Sequence, residues 1–279
     1  MRYKLIASDV DGTLLNSKSE LTERTKRAIV RAVEAGVLFV TATGRPFSNV
    51  EVFKKLFNGI SSDVNTDMPF IVFNGAAAYM GKSGKLLFEK FLDFDLAKEA
   101  FEIGQKLDVA QIVWTGSRLW ANRRCKETIR YQNYHTDLKM SIVTEFDAIK
   151  SEVKGISKVL WITDPVEVTR LRHKMVAHFG ERLNCVSSMS YFLEFVSRDA
   201  GKGTALAEIG RLYGITKSEM IAVGDSYNDI CMIKYAGLGV AVENAPDDIK
   251  AICDHVTSSN NCDGVAELIE KCILSNCPE

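Results

Sequence analysis

An apolar run near the start of the chain, Tyr3-Lys4-Leu5-Ile6-Ala7-Ser8, stops at Asp9-Val10-Asp11-Gly12-Thr13. A run of that length bounded by a turn reads as a buried strand ending near Ser8. This confines the fold, because two carboxylates straight after a buried strand belong at the C-terminal edge of an open α/β sheet, where ligands bind. Gly12 lets the backbone turn sharply after them. Far downstream, Met220-Ile221-Ala222-Val223-Gly224 repeats the pattern and ends in Asp225-Ser226-Tyr227-Asn228-Asp229. Four acidic groups converging on one sheet edge cannot all be ionised without a cation. Carboxylates suit a hard divalent ion, and magnesium is the simplest choice.

Strand and helix signals alternate between these points. Thr22 can cap a helix with the stripe Ala28, Ile29, Ala32 and Val33, and Gly36 follows its end. Val37-Leu38-Phe39-Val40 reads as a second strand that runs into Thr41-Ala42-Thr43-Gly44-Arg45; Pro46 then opens a helix bearing Val50, Phe53 and Phe57. Phe70-Ile71-Val72-Phe73 reads as a third strand, and Asn74-Gly75 as a turn. That rhythm gives a parallel sheet with right-handed crossovers.

The pattern changes at Gly81-Lys82-Ser83-Gly84, a linker-like stretch. Beyond it, Gln111-Ile112-Val113-Trp114 and Leu119-Trp120-Ala121-Asn122 flank the hairpin turn Thr115-Gly116-Ser117-Arg118. Val159-Leu160-Trp161-Ile162 ends at Asp164-Pro165, and a helix with Val168, Leu171, Met175, Val176 and Phe179 runs to Gly180. The strand-helix rhythm resumes after Tyr191-Phe192-Leu193-Glu194-Phe195-Val196. The expected fold class is α/β: a doubly wound parallel-sheet (Rossmann-like) core of residues 1–83 and 190–279, with an inserted α+β cap domain of residues 84–189.

Composition narrows the function classes. A net charge of −1 over 279 residues gives no electrostatic case for nucleic acid or a membrane surface. The first apolar run is cut by Asp9 and Asp11, too short for a signal peptide, and no stretch reaches the roughly 18 apolar residues of a spanning helix. Seven cysteines, an odd number without Cys-x-x-Cys spacing, read as free thiols in a reducing cytoplasm. The four histidines are scattered, which disfavours a histidine-built metal site. Arg118, Arg123, Arg124, Lys126 and Arg130, interleaved with Trp114, Trp120, Tyr131 and Tyr134, read first as a solvated helix face over core aromatics. The alternative is a basic, aromatic rim that selects an anionic substrate.

The strings Asp-x-Asp-Gly-Thr at residue 9, Thr-Gly-Arg at 43, Gly-Lys-Gly at 201 and Gly-Asp-x-x-Asn-Asp at 224 together resemble the haloacid-dehalogenase-like phosphohydrolases. More narrowly they look like the Cof-type sugar phosphatases, which carry a large α/β cap. The resemblance covers essentially the whole chain and implies a magnesium-dependent phosphatase acting on a small phosphorylated molecule, a sugar phosphate foremost. It implies that Asp9 is the nucleophile, forming an aspartyl-phosphate, and that Asp11 is the general acid and base, its side chain unengaged because its carbonyl serves the metal. Metal ligation falls to Asp9, Asp11, Asp225 and Asp229, the last either directly or as a support. Val10, Thr43, Gly44, Lys202 and Asn228 would hold the phosphoryl group. The partners implied are the substrate alone, without nucleic acid or membrane, for a cytoplasmic monomer or weak homodimer. A phosphomutase of the phosphomannomutase type, a signalling receiver and a non-catalytic sugar-phosphate sensor are the rival readings.

Overall fold

Leu5, Ile6 and Ala7 are fully buried, as are Ile221, Ala222 and Val223, and a strand buried on both faces belongs inside a parallel sheet covered by helices. The structure, a computed structural model, describes residues 2–45, 67–116, 118–133 and 138–276. The helix expected after Pro46 lies outside the described residues, as do Ser117 and Tyr134. In chain order the strands are β1 (Leu5–Asp9), β2 (Leu38–Ala42), β3 (Pro69–Val72), β4 (Ala77–Met80), β5 (Leu86–Glu89), β6 (Ala110–Trp114), β7 (Leu119–Ala121), β8 (Met140–Ile142), β9 (Lys158–Ile162), β10 (Leu183–Val186), β11 (Phe192–Ser197), β12 (Met220–Gly224), β13 (Leu238–Val242) and β14 (His255–Thr257).

The chain divides into two compact units, Met1–Phe88 with Gly201–Glu279, and Glu89–Ala200. The first is built on an eight-stranded sheet of order β14-β13-β12-β1-β2-β3-β4-β5. From β14 to β3 the neighbours are parallel, while β4 returns antiparallel to β3. The sheet is therefore mixed, because the Gly81–Gly84 stretch is the tip of a strand pairing on this sheet and not a link out of it. From β1 the chain builds one side of the sheet through β2 and β3, then returns on the other side as β12, β13 and β14. The strand order reverses between β1 and β12, which makes that junction the ligand-binding switch point of an open α/β sheet. Register aligns the strand ends: Ser8 pairs with Val223 on one side, and Asp9 pairs with Ala42 on the other. The helix Glu23–Glu34 starts at Thr22, whose hydroxyl accepts from the Thr25 amide, and it buries Ala28, Ile29 and Ala32.

The second unit has a six-stranded sheet of order β10-β11-β9-β6-β7-β8, antiparallel except for β7 with β8. The helices Phe94–Lys106 and Pro165–Phe179 supply Phe101, Leu171, Met175 and Phe179 to a core shared with Val113, Val159, Trp161 and Phe195. Val176, expected on the buried stripe, is 45% exposed. Trp114, Trp120 and Tyr131 are buried, so they are core aromatics, while Arg118 lies over the Trp120 ring and pairs with Glu152.

The expected boundaries at residues 83/84 and 189/190 shift to 88/89 and 200/201. The segment Phe192–Ser197 is β11 of the second sheet, between β10 and β9, and not the first strand of the returning core. Its Glu194 forms a buried ion pair with Lys158 of β9. Among the described residues no helix is long and apolar enough to cross a membrane.

Candidate active site

Every residue given a catalytic, metal-ligating or phosphate-binding role from the sequence lies in the first unit, while the basic and aromatic residues between Trp114 and Arg130 lie in the second. Asp9 is the last residue of β1 and is 6% exposed. The chain turns at once after it, with the Val10 carbonyl accepting from the amides of Leu14 and Leu15. Gly12 sits in the left-handed region at φ +85°, and a Cβ there would come within 2.7 Å of Asp225 Oδ2. The turn therefore needs glycine twice over, for its backbone and to admit the second acidic strand end. Thr13 Oγ1 donates to Asp225 Oδ1 at 2.6 Å, tying together the two segments.

Lys202 opens the helix Lys202–Tyr213 and is fully buried. Its ammonium donates to Asp9 Oδ1 and to Asp229 Oδ1, each at 2.5 Å. The other Asp229 oxygen accepts from the amides of Asp225 and Ser226 at 3.1 and 2.9 Å. Asp229 thus shapes the loop that presents Asp225 and, from behind, aims Lys202 at Asp9.

One carboxylate oxygen from each of Asp9, Asp225 and Asp229 lies within 4.8 Å of the others. This all-oxygen donor set fits a hard divalent cation. The two Asp229 oxygens already accept three hydrogen bonds, so the charge most available to a cation is that of Asp9 and Asp225. The electrostatics agree. Burial, then the Asp229 charge, pushes Asp9 well above the ordinary carboxylate range against the pull of Lys202. Burial pushes Asp225 up to about 6, although the Thr13 hydrogen bond works the other way. For Lys202 burial disfavours the charge, but Asp229 and Asp9 outweigh it and hold the ammonium protonated.

A carboxyl whose pKa rises on folding contributes most below its ordinary value of 3.8, and stability drains away as pH rises toward about 6. In chelator, the melting temperature of Asp225→Asn relative to the parent should therefore climb between about pH 4 and pH 6. A gap that stays level across that range would show that Asp225 titrates as an ordinary surface acid.

Thr43 follows β2 and is 2% exposed; its hydroxyl accepts from the Arg45 amide at 3.1 Å and keeps its own proton to donate. Gly44 is half-buried beside it. Asn228 donates through Nδ2 to Asn74 Oδ1 at 2.9 Å. Asp11 corrects an expectation: its side chain is not unengaged. Arg45 Nε and Nη2 donate to its two oxygens at 2.8 and 2.5 Å, a bidentate pair at a partly exposed position. Arg45 lies within Thr-Gly-Arg without a role that its position in the sequence reveals, and Asn74-Gly75 reads in the sequence as a turn. Thr13 closes the Asp-x-Asp-Gly-Thr string, yet its partner lies 212 residues away. No local signal marks such a contact.

Known proteins match the chain along nearly its whole length. A family model described as haloacid dehalogenase-like hydrolase matches residues 6–269. YxeH of Bacillus subtilis, which carries a phosphatase name, is 31% identical over 98% of this chain and 99% of its own. A second protein of that organism, named 5-amino-6-(5-phospho-D-ribitylamino)uracil phosphatase YwtE, is 29% identical over 96% of this chain and 97% of its own. Among solved structures, a haloacid dehalogenase-like hydrolase from B. subtilis superposes with a TM-score of 0.82 at 28% identity, covering 97% of this chain and all of the other.

Proposed function

Because the chain belongs to the haloacid dehalogenase-like hydrolases and is a phosphatase of their Cof type, we propose that it hydrolyses small phosphate monoesters, sugar phosphates first, through an aspartyl-phosphate on Asp9 with magnesium as cofactor. The observation that carries this reading is the buried Lys202, which bridges Asp9 and Asp229 at 2.5 Å each. A buried ammonium fixed against one carboxylate and backed by a second holds that carboxylate in a single orientation and offsets the repulsion it meets on approaching a phosphate.

The Asp9 carboxylate forms a bond to phosphorus as the ester oxygen leaves. Asp11 gives the leaving oxygen a proton, then takes one from the water that attacks the aspartyl-phosphate, releasing inorganic phosphate and restoring Asp9. For this the Asp11 carboxyl must exchange out of its pair with Arg45, and the arriving phosphate is a natural competitor for that guanidinium. Thr43, the Val10 and Gly44 amides, Lys202 and Asn228 are the donors assigned to the phosphoryl oxygens. The Asp9 and Asp225 carboxylates and the Asp11 carbonyl would hold the magnesium ion, with Asp229 in support; when bound, the ion supplies positive charge against the phosphoryl oxygens. In this reading the Glu89–Ala200 unit is the cap that selects the substrate.

Hydrolysis of p-nitrophenyl phosphate by chelated protein, with and without added magnesium, is the test. Turnover that appears with magnesium supports the reading and justifies a screen of hexose phosphates and, given the name of the YwtE relative, ribityl phosphates. Turnover indifferent to chelation removes the metal from the proposal. Interconversion of hexose monophosphates that requires a hexose bisphosphate and releases no net phosphate would make the protein a mutase.

A further inference from the structure

We propose that Asn74 is a positioning residue for the phosphatase reaction, orienting the side-chain amide of Asn228 toward the phosphoryl group; this rests on the role given to Asn228 above. Asn74 is 2% exposed and follows β3 at φ 55° and ψ 32°. That left-handed conformation is one asparagine tolerates better than most residues, and it persists where the surroundings fix it. Here the Asn74 amide donates to the Thr43 carbonyl at 3.1 Å, locking the turn to the loop that carries Thr43. The next residue, Gly75, has φ +94°, and a Cβ on it would fall 2.2 Å from the Gly201 carbonyl oxygen. The turn is thus wedged against the backbone immediately before Lys202. Its position is set by the catalytic loops on both sides.

From that fixed place Asn74 Oδ1 accepts from Asn228 Nδ2 at 2.9 Å. The other end of the Asn228 amide is the informative one. Its Oδ1 is buried and has no hydrogen-bond partner among the described residues. Native folds rarely leave a buried acceptor orphaned, and such a group points to a partner that arrives. Half a turn about the last side-chain bond exchanges the two ends of a carboxamide. It would put the Asn228 NH2 where the orphaned oxygen now stands and its oxygen against Asn74. An asparagine at 74 can serve both orientations, as acceptor in one and donor in the other. A phosphoryl oxygen requires the second, with Asn228 donating to the ligand and Asn74 donating to Asn228.

The experiment is a double-mutant cycle in kcat/KM for p-nitrophenyl phosphate with magnesium, using Asn74→Gly, Asn228→Ala and the pair. Glycine keeps the left-handed backbone and the backbone N–H to Thr43, and removes the side chain with its carboxamide. Asn74→Asp keeps the size and the acceptor but cannot donate when ionised. Asn74→Gly is expected to lose roughly 10- to 100-fold, as substitutions behind a ligating group do. Asn228→Ala should lose at least as much, and the double variant no more than Asn228→Ala alone. Asn74→Asp should be impaired like the glycine variant. An Asn74→Gly enzyme within about twofold of the parent, or losses that multiply in the double variant, would overturn the inference. An inactive parent sinks the phosphatase reading and this inference together. An active parent that Asp9→Asn silences, with multiplying losses at 74 and 228, sinks only the inference.

Discussion

Replacing Asp9 by asparagine is expected to abolish turnover, by a factor on the order of 10⁴ or more, while leaving the protein at least as stable as its parent. The two halves of this expectation come from one observation. Asp9 is buried beside Asp225 and Asp229, and its carboxyl is pushed well above the ordinary range, so in the absence of a cation its ionised form opposes folding. Asparagine has the same shape and no charge, and Lys202 keeps Asp229 as a partner. The sign follows from linkage: an acid raised by folding costs stability once pH exceeds its unfolded value, so the gain from asparagine should be largest near neutrality and shrink below about pH 4. Chelated samples melted at pH 4 and pH 7 would show it. The expected loss of activity has a separate cause: in the proposed mechanism Asp9 attacks phosphorus, which an amide cannot do. Acid-quenched enzyme should carry a phosphoryl group on the Asp9 peptide in the parent and none in the variant. A variant that still turns over would move the nucleophile elsewhere and void the mechanism.

The sequence made some of this legible and hid the rest for physical reasons. Buried parallel strands are near-continuous apolar runs, so Leu5–Asp9 and Met220–Gly224 could be read directly, and a polar residue at such a boundary stands out. Phe192–Ser197 is just as legible as a strand, but nothing local says which sheet it joins. Its neighbours are chosen by pairing with β9 and β10, and its Glu194 by a lysine 36 positions away. The expected boundary at 189/190 failed on that point. The same limit applies within the site. Asp9, Asp225 and Lys202 were nameable because each sits where an element begins or ends. The grip of Arg45 on Asp11, the orphaned oxygen of Asn228 and the hold of Asn74 on it depend on side-chain directions, which spacing does not encode.

Lys202→Met should be damaging in both currencies, and the compensation it accepts separates them. The side chain is fully buried between two carboxylates, with a third close by. Methionine fills much of the same space but leaves Asp9 and Asp229 as facing like charges in a water-poor site. Removing one partner of a buried ion pair costs about 3–5 kcal/mol, a large part of the roughly 5–15 kcal/mol that holds a domain together. Because the penalty is electrostatic, it should shrink as the Asp9 carboxyl, which burial holds well above the ordinary range, takes up a proton, so the gap in melting temperature between variant and parent should narrow as pH falls. Magnesium should narrow it too, by supplying positive charge to the same oxygens. A second substitution, Asp229→Asn, removes the charge that lost its partner. The double variant should therefore recover much of the stability while activity stays down by at least about 10³-fold, because the charge that steadies Asp9 against the phosphate is still missing. Thermal melts of the four proteins with parallel phosphatase assays decide it. If Lys202→Met melts like the parent across pH, the ammonium is not clamped between these acids, and the argument from its burial to its role in catalysis fails. If activity returns with stability in the double variant, Lys202 only supports the fold, and the phosphoryl group is neutralised by something else.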